Sequence, residues 1–187
     1  MLISCTQENK KVLMIPREGS EDLLLALSKE SGVMLKLLED EGYEVLIATE
    51  TGNEIKTSDY QLIPDMTLEE VNVKDYIGII MPCMNAGTDP KKISEESIRI
   101  VKEAVENGIP IAAQLGSVLV LEKAEIWSPD LAEIPVTDQY RSWGGGDAVY
   151  TYDKIITSGT CPFLAKHNKA TDRTEELTKT FISMLKK

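Results

Sequence analysis

The nucleophilic residues of this chain are its three cysteines, Cys5, Cys83 and Cys161. They are widely spaced and form no CxxC pair, which fits a reducing compartment. Cys83 follows the apolar run Ile77 to Met81. It gains thiolate character where a helix N-terminus or a basic group lies beside it, and is otherwise a buried, inert thiol. Cys161 sits in the turn SGTCP. A redox pair between Cys83 and Cys161 requires a Cα separation of no more than about 7 Å. A further chemical signal is Ile109 to Leu121 (IPIAAQLGSVLVL), which reads as a buried strand turning straight into a helix. Such an elbow lifts one side chain above the sheet at a helix N-terminus, where nucleophiles are carried. It needs small residues two positions before and two after its tip. A tip at Leu115 meets this with Ala113 and Ser117. A tip at Ser117 fails, because Leu115 and Leu119 are bulky. The sterics put Leu115 at the tip, so the elbow has the shape of a catalytic turn and no nucleophile.

The other polar candidates each carry two readings. Asn85, Gln114 and Ser117 either line a polar pocket or satisfy loop backbone groups. Arg141 to Gly146 (RSWGGG) is either an anion-binding nest beside Arg141 or a flexible turn, with Trp143 near the pocket or a subunit interface. His167, the single histidine, lies in the basic run Lys166 to Lys169 and is assigned no catalytic role. One histidine also argues against a histidine-based zinc site, and no metal or cofactor is expected.

These residues must be positioned by strands and helices that alternate along the chain. Lys11 to Pro16 reads as a first strand and Glu44 to Thr49 as a second, with a leucine-rich helix between them. Ser20 suits the cap of that helix, Glu21 and Asp22 its first turn, and Gly42 its end. Gly52 to Asp65 is polar and irregular, and Thr67 to Val71 suggests one helical turn. Ile77 to Met81 is a third strand, stopped by Pro82. A helix capped by Ser94 presents Ile98, Val101 and Val105 on one face and ends at Asn107-Gly108. Ile109 to Ala113 is a fourth strand, followed by a helix over Val118 to Ala124. Ala148 to Tyr152 and Lys154 to Ser158 read as a hairpin around Asp153. The last helix carries Leu177, Phe181, Met184 and Leu185 at helical spacing. The pattern predicts a three-layer αβα sandwich on a mainly parallel, flavodoxin-like sheet. Ligands in such sheets bind at the carboxyl ends of the strands, where the turns after the first, third and fourth strands converge.

The length of 187 residues suits one such domain over 11–187, with 1–10 as an N-terminal tail. A net charge of −11 argues against nucleic acid or an anionic membrane surface as partner. Leu2-Ile3-Ser4-Cys5 resembles the end of a bacterial lipobox without the apolar core that precedes one. The expected location is cytoplasmic, with membrane anchoring as the alternative if Cys5 is lipidated.

At these residues the chain resembles the ThiJ/PfpI (DJ-one) family, within the class I glutamine amidotransferase-like fold. The resemblance is carried by KVLMIPREGSEDLLL, DMTLEEVNVKDYIGIIMP, NGIPIAAQLGSVLVL and YDKIITSGTCPFLA. It implies a cysteine at the elbow tip followed by histidine, a glutamate after the first strand that hydrogen-bonds that cysteine, and two glycines after the third strand. Carried over, the cysteine falls on Leu115, the histidine on Gly116, the glutamate on Glu21 and the glycines on Cys83 and Met84. The late arginine-containing turn falls on Gly159 and Thr160. In this light Glu21 is a pocket-floor carboxyl group able to donate a proton; on its own residues it is a first-turn acid that favours the helix dipole. The changes argue against the family's peptidase-like, glyoxalase-like and deglycase-like activities.

Three functions are therefore expected. The first is a homodimeric pseudoenzyme that holds a small polar metabolite in a crevice of Glu21, Cys83, Met84, Asn85, Gln114, Leu115, Gly116 and Cys161. The second is an enzyme of altered mechanism, with Cys83 as nucleophile and Glu21 as general acid, acting on a small carbonyl compound or amide. The third is a stress-response or interaction protein with a vestigial pocket.

Overall fold

The computed structural model describes residues 10–19, 22–83, 93–133, 148–168 and 170–187. Cys5, Ser20, Glu21, Met84, Asn85 and Arg141 to Gly146 lie outside them. The first strand, β1 (Lys11–Met14), shows why the domain needs three layers. Val12 and Met14 face one apolar cluster, while Leu13 and the following Ile15 face the other. A strand that is apolar on both faces must be covered on both.

Parallel partners flank β1: β2 (Glu44–Thr49) pairs Val12 with Val45, and β6 (Gly78–Met81) pairs it with Gly78. Beyond β6 lie β7 (Ile111–Gln114) and β9 (Ile155–Ser158), both parallel. The sheet is completed by antiparallel β8 (Tyr150–Tyr152) at one edge and short β5 (Met66–Thr67) at the other, giving the order β5-β2-β1-β6-β7-β9-β8. Strand order reverses across β1, so the carboxyl ends of β1 and β6 form the switch point where such sheets hold their sites.

One face is covered by α3 (Glu95–Glu106) and α4 (Val118–Lys123), which bring Ile100, Val101, Ala104, Val118 and Leu121 onto the sheet. The Ser94 hydroxyl caps α3 by accepting from the Ser97 N–H at 3.1 Å. The other face is covered by α6 (Thr174–Leu185) and by the helix after β1. That helix runs through α1 (Leu23–Leu25), a π-helical segment Ala26–Ser31 and α2 (Gly32–Asp40). A second short helix, α5 (Pro162–Asn168), follows β9. No helix among the described residues is long and apolar enough to cross a membrane.

The expected layers, parallel strands and terminal hairpin are present. The 52–65 segment, read as irregular, instead holds a small antiparallel ladder of β3 (Ile55–Lys56) and β4 (Gln61–Leu62). Ile55 and Leu62 are buried against the α2 face. Strands of two residues offer no period to read, so the pairing is set by these two contacts and by the Thr57–Tyr60 turn.

Gly78 is where β6 meets α6. A Cβ there would lie 2.6 Å from the Phe181 ring and 2.5 Å from Leu185 Cδ2. Gly78→Ala is expected to cost about 1–3 kcal/mol through overpacking. The denaturation midpoint measures it; an unchanged midpoint would mean that α6 moves away without cost.

Candidate functional site

The elbow is assembled from the end of β7. Gln114 is extended, and Leu115 then turns into the left-handed region at φ +44°. Leu115 to Ser117 form a 3-10 turn that feeds α4. A non-glycine residue in this conformation carries strain of about 1–3 kcal/mol and persists only where its surroundings hold it. Two struts do so. The buried Gln114 amide donates to the Thr160 carbonyl at 2.6 Å and to the Thr174 hydroxyl at 3.0 Å. The Ser117 hydroxyl donates to the Pro82 carbonyl. These bonds tie the elbow to the turn after β6, the turn after β9 and the start of α6. Gln114 and Ser117 thus serve backbone satisfaction, one of their two expected roles.

Among the described residues, the surroundings of the tip are apolar and sulfur-lined. Leu115 packs with Cys83 and Cys161 in a small cluster closed by Leu164. Both sulfurs are buried, and no disulfide joins them. Cys161 is hydrogen-bonded to Cys83; this bond and burial push its thiol well above the ordinary range, so Cys161 keeps its proton. The turns after β6 and β9 thus present a dithiol across the elbow.

Among the described residues, an acid that meets this cluster is Glu30, nine residues beyond Glu21. It is 1% exposed, and its Oε1 accepts from the Cys83 N–H at 2.9 Å. Arg17, just after β1, donates from Nε to the Cys83 carbonyl at 2.6 Å, and its Nη2 lies 4.0 Å from Glu30 Oε2. Burial first, then charge on Cys83 and more weakly on Asp172, push the Glu30 carboxyl up to about 8; Arg17 opposes the shift. At neutral pH Glu30 is mostly a neutral acid beside two thiols.

Sequence reading missed both Glu30 and Arg17. Glu30 left a legible trace: Leu27, Glu30, Met34 and Leu38 recur at helical spacing, so it is an acid inside an apolar stripe. The π-helical segment around it matches the tendency of such bulges to mark functional sites. Of the expected site residues, the fold brings Cys83, Gln114, Leu115, Gly116 and Cys161 together. His167 is apart from them, exposed on α5 with Nε2 3.3 Å from Asp22 Oδ2.

A doubly covered parallel sheet, an elbow after its fourth long strand and an acid reaching it from the first helix define an elbow-type α/β protein. Residues 10–130 match the DJ-1/PfpI family, and the chain belongs to that family. It is 35% identical over 106 residues to an uncharacterized protein of Archaeoglobus fulgidus. That match spans 55% of this chain and 58% of the relative. Among solved structures, the fold resembles a ThiJ/PfpI domain protein from Brachyspira murdochii, with a TM-score of 0.71 and 14% identity over 95% of this chain and 97% of that one. It also resembles Drosophila melanogaster DJ-1beta, with a TM-score of 0.65 and 22% identity over 96% and 92% of the two chains. At these identities the likeness is one of fold.

The Glu30 shift has a consequence for stability. The unfolded carboxyl loses its proton near 4.5, the folded one near 8. Between these values the folded state binds more protons, so stability falls as pH rises and levels off above about 8. Glu30→Gln cannot ionise and is expected to flatten this decline. Denaturation midpoints at about pH 5 and about pH 8.5 measure it. A wild-type midpoint that rises across this window would show that the buried carboxyl is already charged.

Proposed function

We propose that this protein is a divergent DJ-1/PfpI member whose elbow has lost covalent chemistry and whose reactive group is the Cys83 thiol, serving a small carbonyl compound. The observation that carries this reading is the hydrogen-bonded Cys161–Cys83 pair packed against Leu115. Leucine can form no adduct, so chemistry at the tip is closed. The Arg17 guanidinium on the Cys83 carbonyl favours negative charge on the Cys83 sulfur. In the proposed step that sulfur bonds to the carbonyl carbon as the C=O π bond opens. The oxygen takes a proton from neutral Glu30, which water restores with the proton lost from Cys83. Glu30 takes the general-acid role in this reading; Glu21, expected in that role, lies outside the described residues.

Methylglyoxal is a suitable probe, with adducts mapped by peptide mass spectrometry. The expected outcome is an adduct on Cys83 that Cys83→Ser abolishes. Leu115→Cys is expected to add a second labelled site at the elbow. Glu30 ionisation predicts that the Cys83 reaction slows as pH rises through about 8. Undiminished turnover by Cys83→Ser would overturn the assignment.

Metabolite binding without turnover is the second reading. It is favoured by burial, since Cys83 is 2% and Cys161 0% exposed. Saturable methylglyoxal binding, unaltered by Cys83→Ser and without an adduct, would support it. A homodimer and a cytoplasmic location are part of the proposal, supported by the family resemblance and by the unbridged thiols respectively.

A further inference from the structure

Cys83 and Cys161 lie 78 positions apart in sequence, on turns that flank β7 from either side. They meet at the elbow tip, and with Leu115 they make up the buried members of one cluster. Cys83 is fixed at both ends of its residue: its N–H is bonded to Glu30 and its carbonyl to Arg17. Cys161 is fixed by the Gln114 amide on the neighbouring Thr160 carbonyl and by its own carbonyl, which accepts from the Ala165 N–H at 3.0 Å. Two anchored thiols in hydrogen-bond contact are arranged for reaction with each other. A tip cysteine would compete for that contact, and leucine cannot.

We propose that Cys83 and Cys161 form a reversible disulfide in response to hydroperoxides, with Cys83 the thiol oxidised first and Cys161 the resolving one. This rests on the reading of Cys83 as the reactive thiol of the site. The Cys83 sulfur attacks the terminal oxygen of the hydroperoxide. The O–O bond breaks, an S–O bond forms, and the released alkoxide takes a proton to leave as an alcohol. The Cys161 sulfur then attacks the Cys83 sulfur. The S–S bond forms, the S–O bond breaks, and the hydroxyl leaves as water with the Cys161 proton. Two thiols thereby lose two electrons and two protons to one hydroperoxide, which yields one alcohol and one water.

The order of events follows from the cation at Cys83. Cys83 is the thiol whose own carbonyl holds the Arg17 guanidinium, and a cation beside a sulfur favours its thiolate, so Cys83 is the better first nucleophile. Resolution by Cys161 also keeps Cys83 from the irreversible sulfinic and sulfonic states. The disulfide would staple the turn after β6 to the turn after β9 beside Leu115 and consume the thiol that a carbonyl substrate needs. Oxidation would therefore switch off the thiol site as well as protect it.

The test treats the full chain, in a Cys5→Ser background, with tert-butyl hydroperoxide. Non-reducing peptide mass spectrometry then locates each sulfur. The expected product is a Cys83–Cys161 cross-link, two hydrogens lighter than the dithiol and restored by dithiothreitol. A Tm rise of roughly 5 to 10 °C should accompany it, because the bridge closes a long loop. In Cys161→Ser, Cys83 should progress to sulfenic and sulfinic acid. Sulfenic acid that accumulates on Cys83 while Cys161 stays a thiol would overturn the disulfide and leave the Cys83 assignment standing. No oxidation of Cys83 in the folded chain, with ready oxidation in denaturant, would overturn both.

Discussion

The peptide unit around Cys83 is held from both sides, its N–H by the Glu30 carboxyl group and its C=O by the Arg17 guanidinium. A buried backbone amide must be paired, and here side chains do it. The two side chains that pair it come from the turn after β1 and from the helix that follows. The clamp thus joins the two strands between which the sheet reverses order, and it sets where the turn after β6 lies relative to the elbow. Burial of Glu30 is stable here because the group meets an N–H donor and a nearby cation, and because it keeps its own proton at neutral pH.

The elbow shows what the fold retains when its reacting side chain is absent. The left-handed backbone at Leu115 is costly for any residue but glycine, and chemistry at the tip cannot repay it here. It is maintained by Gln114 and Ser117, which connect the elbow to three other segments, so relaxing the turn would break bonds in each. The same struts explain why leucine is tolerated. Among the described residues the tip meets two thiols and Leu164, against which an apolar side chain packs well.

Much of this was legible in the sequence. The position of the tip followed from the sizes of Ala113, Leu115, Ser117 and Leu119 alone, because the elbow's steric demand is local. The alternation of strands and helices, the Ser94 cap and the closing hairpin were legible for the same reason. What escaped depends on tertiary placement. The β3–β4 ladder is too short to show a period. The π-helical segment Ala26–Ser31 reads as ordinary helix, since one extra residue per turn leaves composition unchanged. Glu21, a first-turn acid near the first strand, lies outside the described residues; Glu30, which reaches Cys83, lies deeper in the helix. Only the break in the Leu27–Met34–Leu38 stripe pointed to Glu30, and such a break has no meaning until the opposing surface is known.

That opposing surface accounts for the combination of charge states at the site. Arg17 supplies a permanent positive charge beside the Cys83 carbonyl, and an ionised Glu30 would neutralise it. Burial instead keeps Glu30 protonated below about pH 8. A thiolate on Cys83 would then face a cation, a neutral acid and a thiol that holds its proton. Each of these tolerates negative charge on sulfur better than a second anion would. On the proposed reading the reactive thiol lies on the turn beside the elbow rather than at its tip, and Leu115 packs against both cysteines.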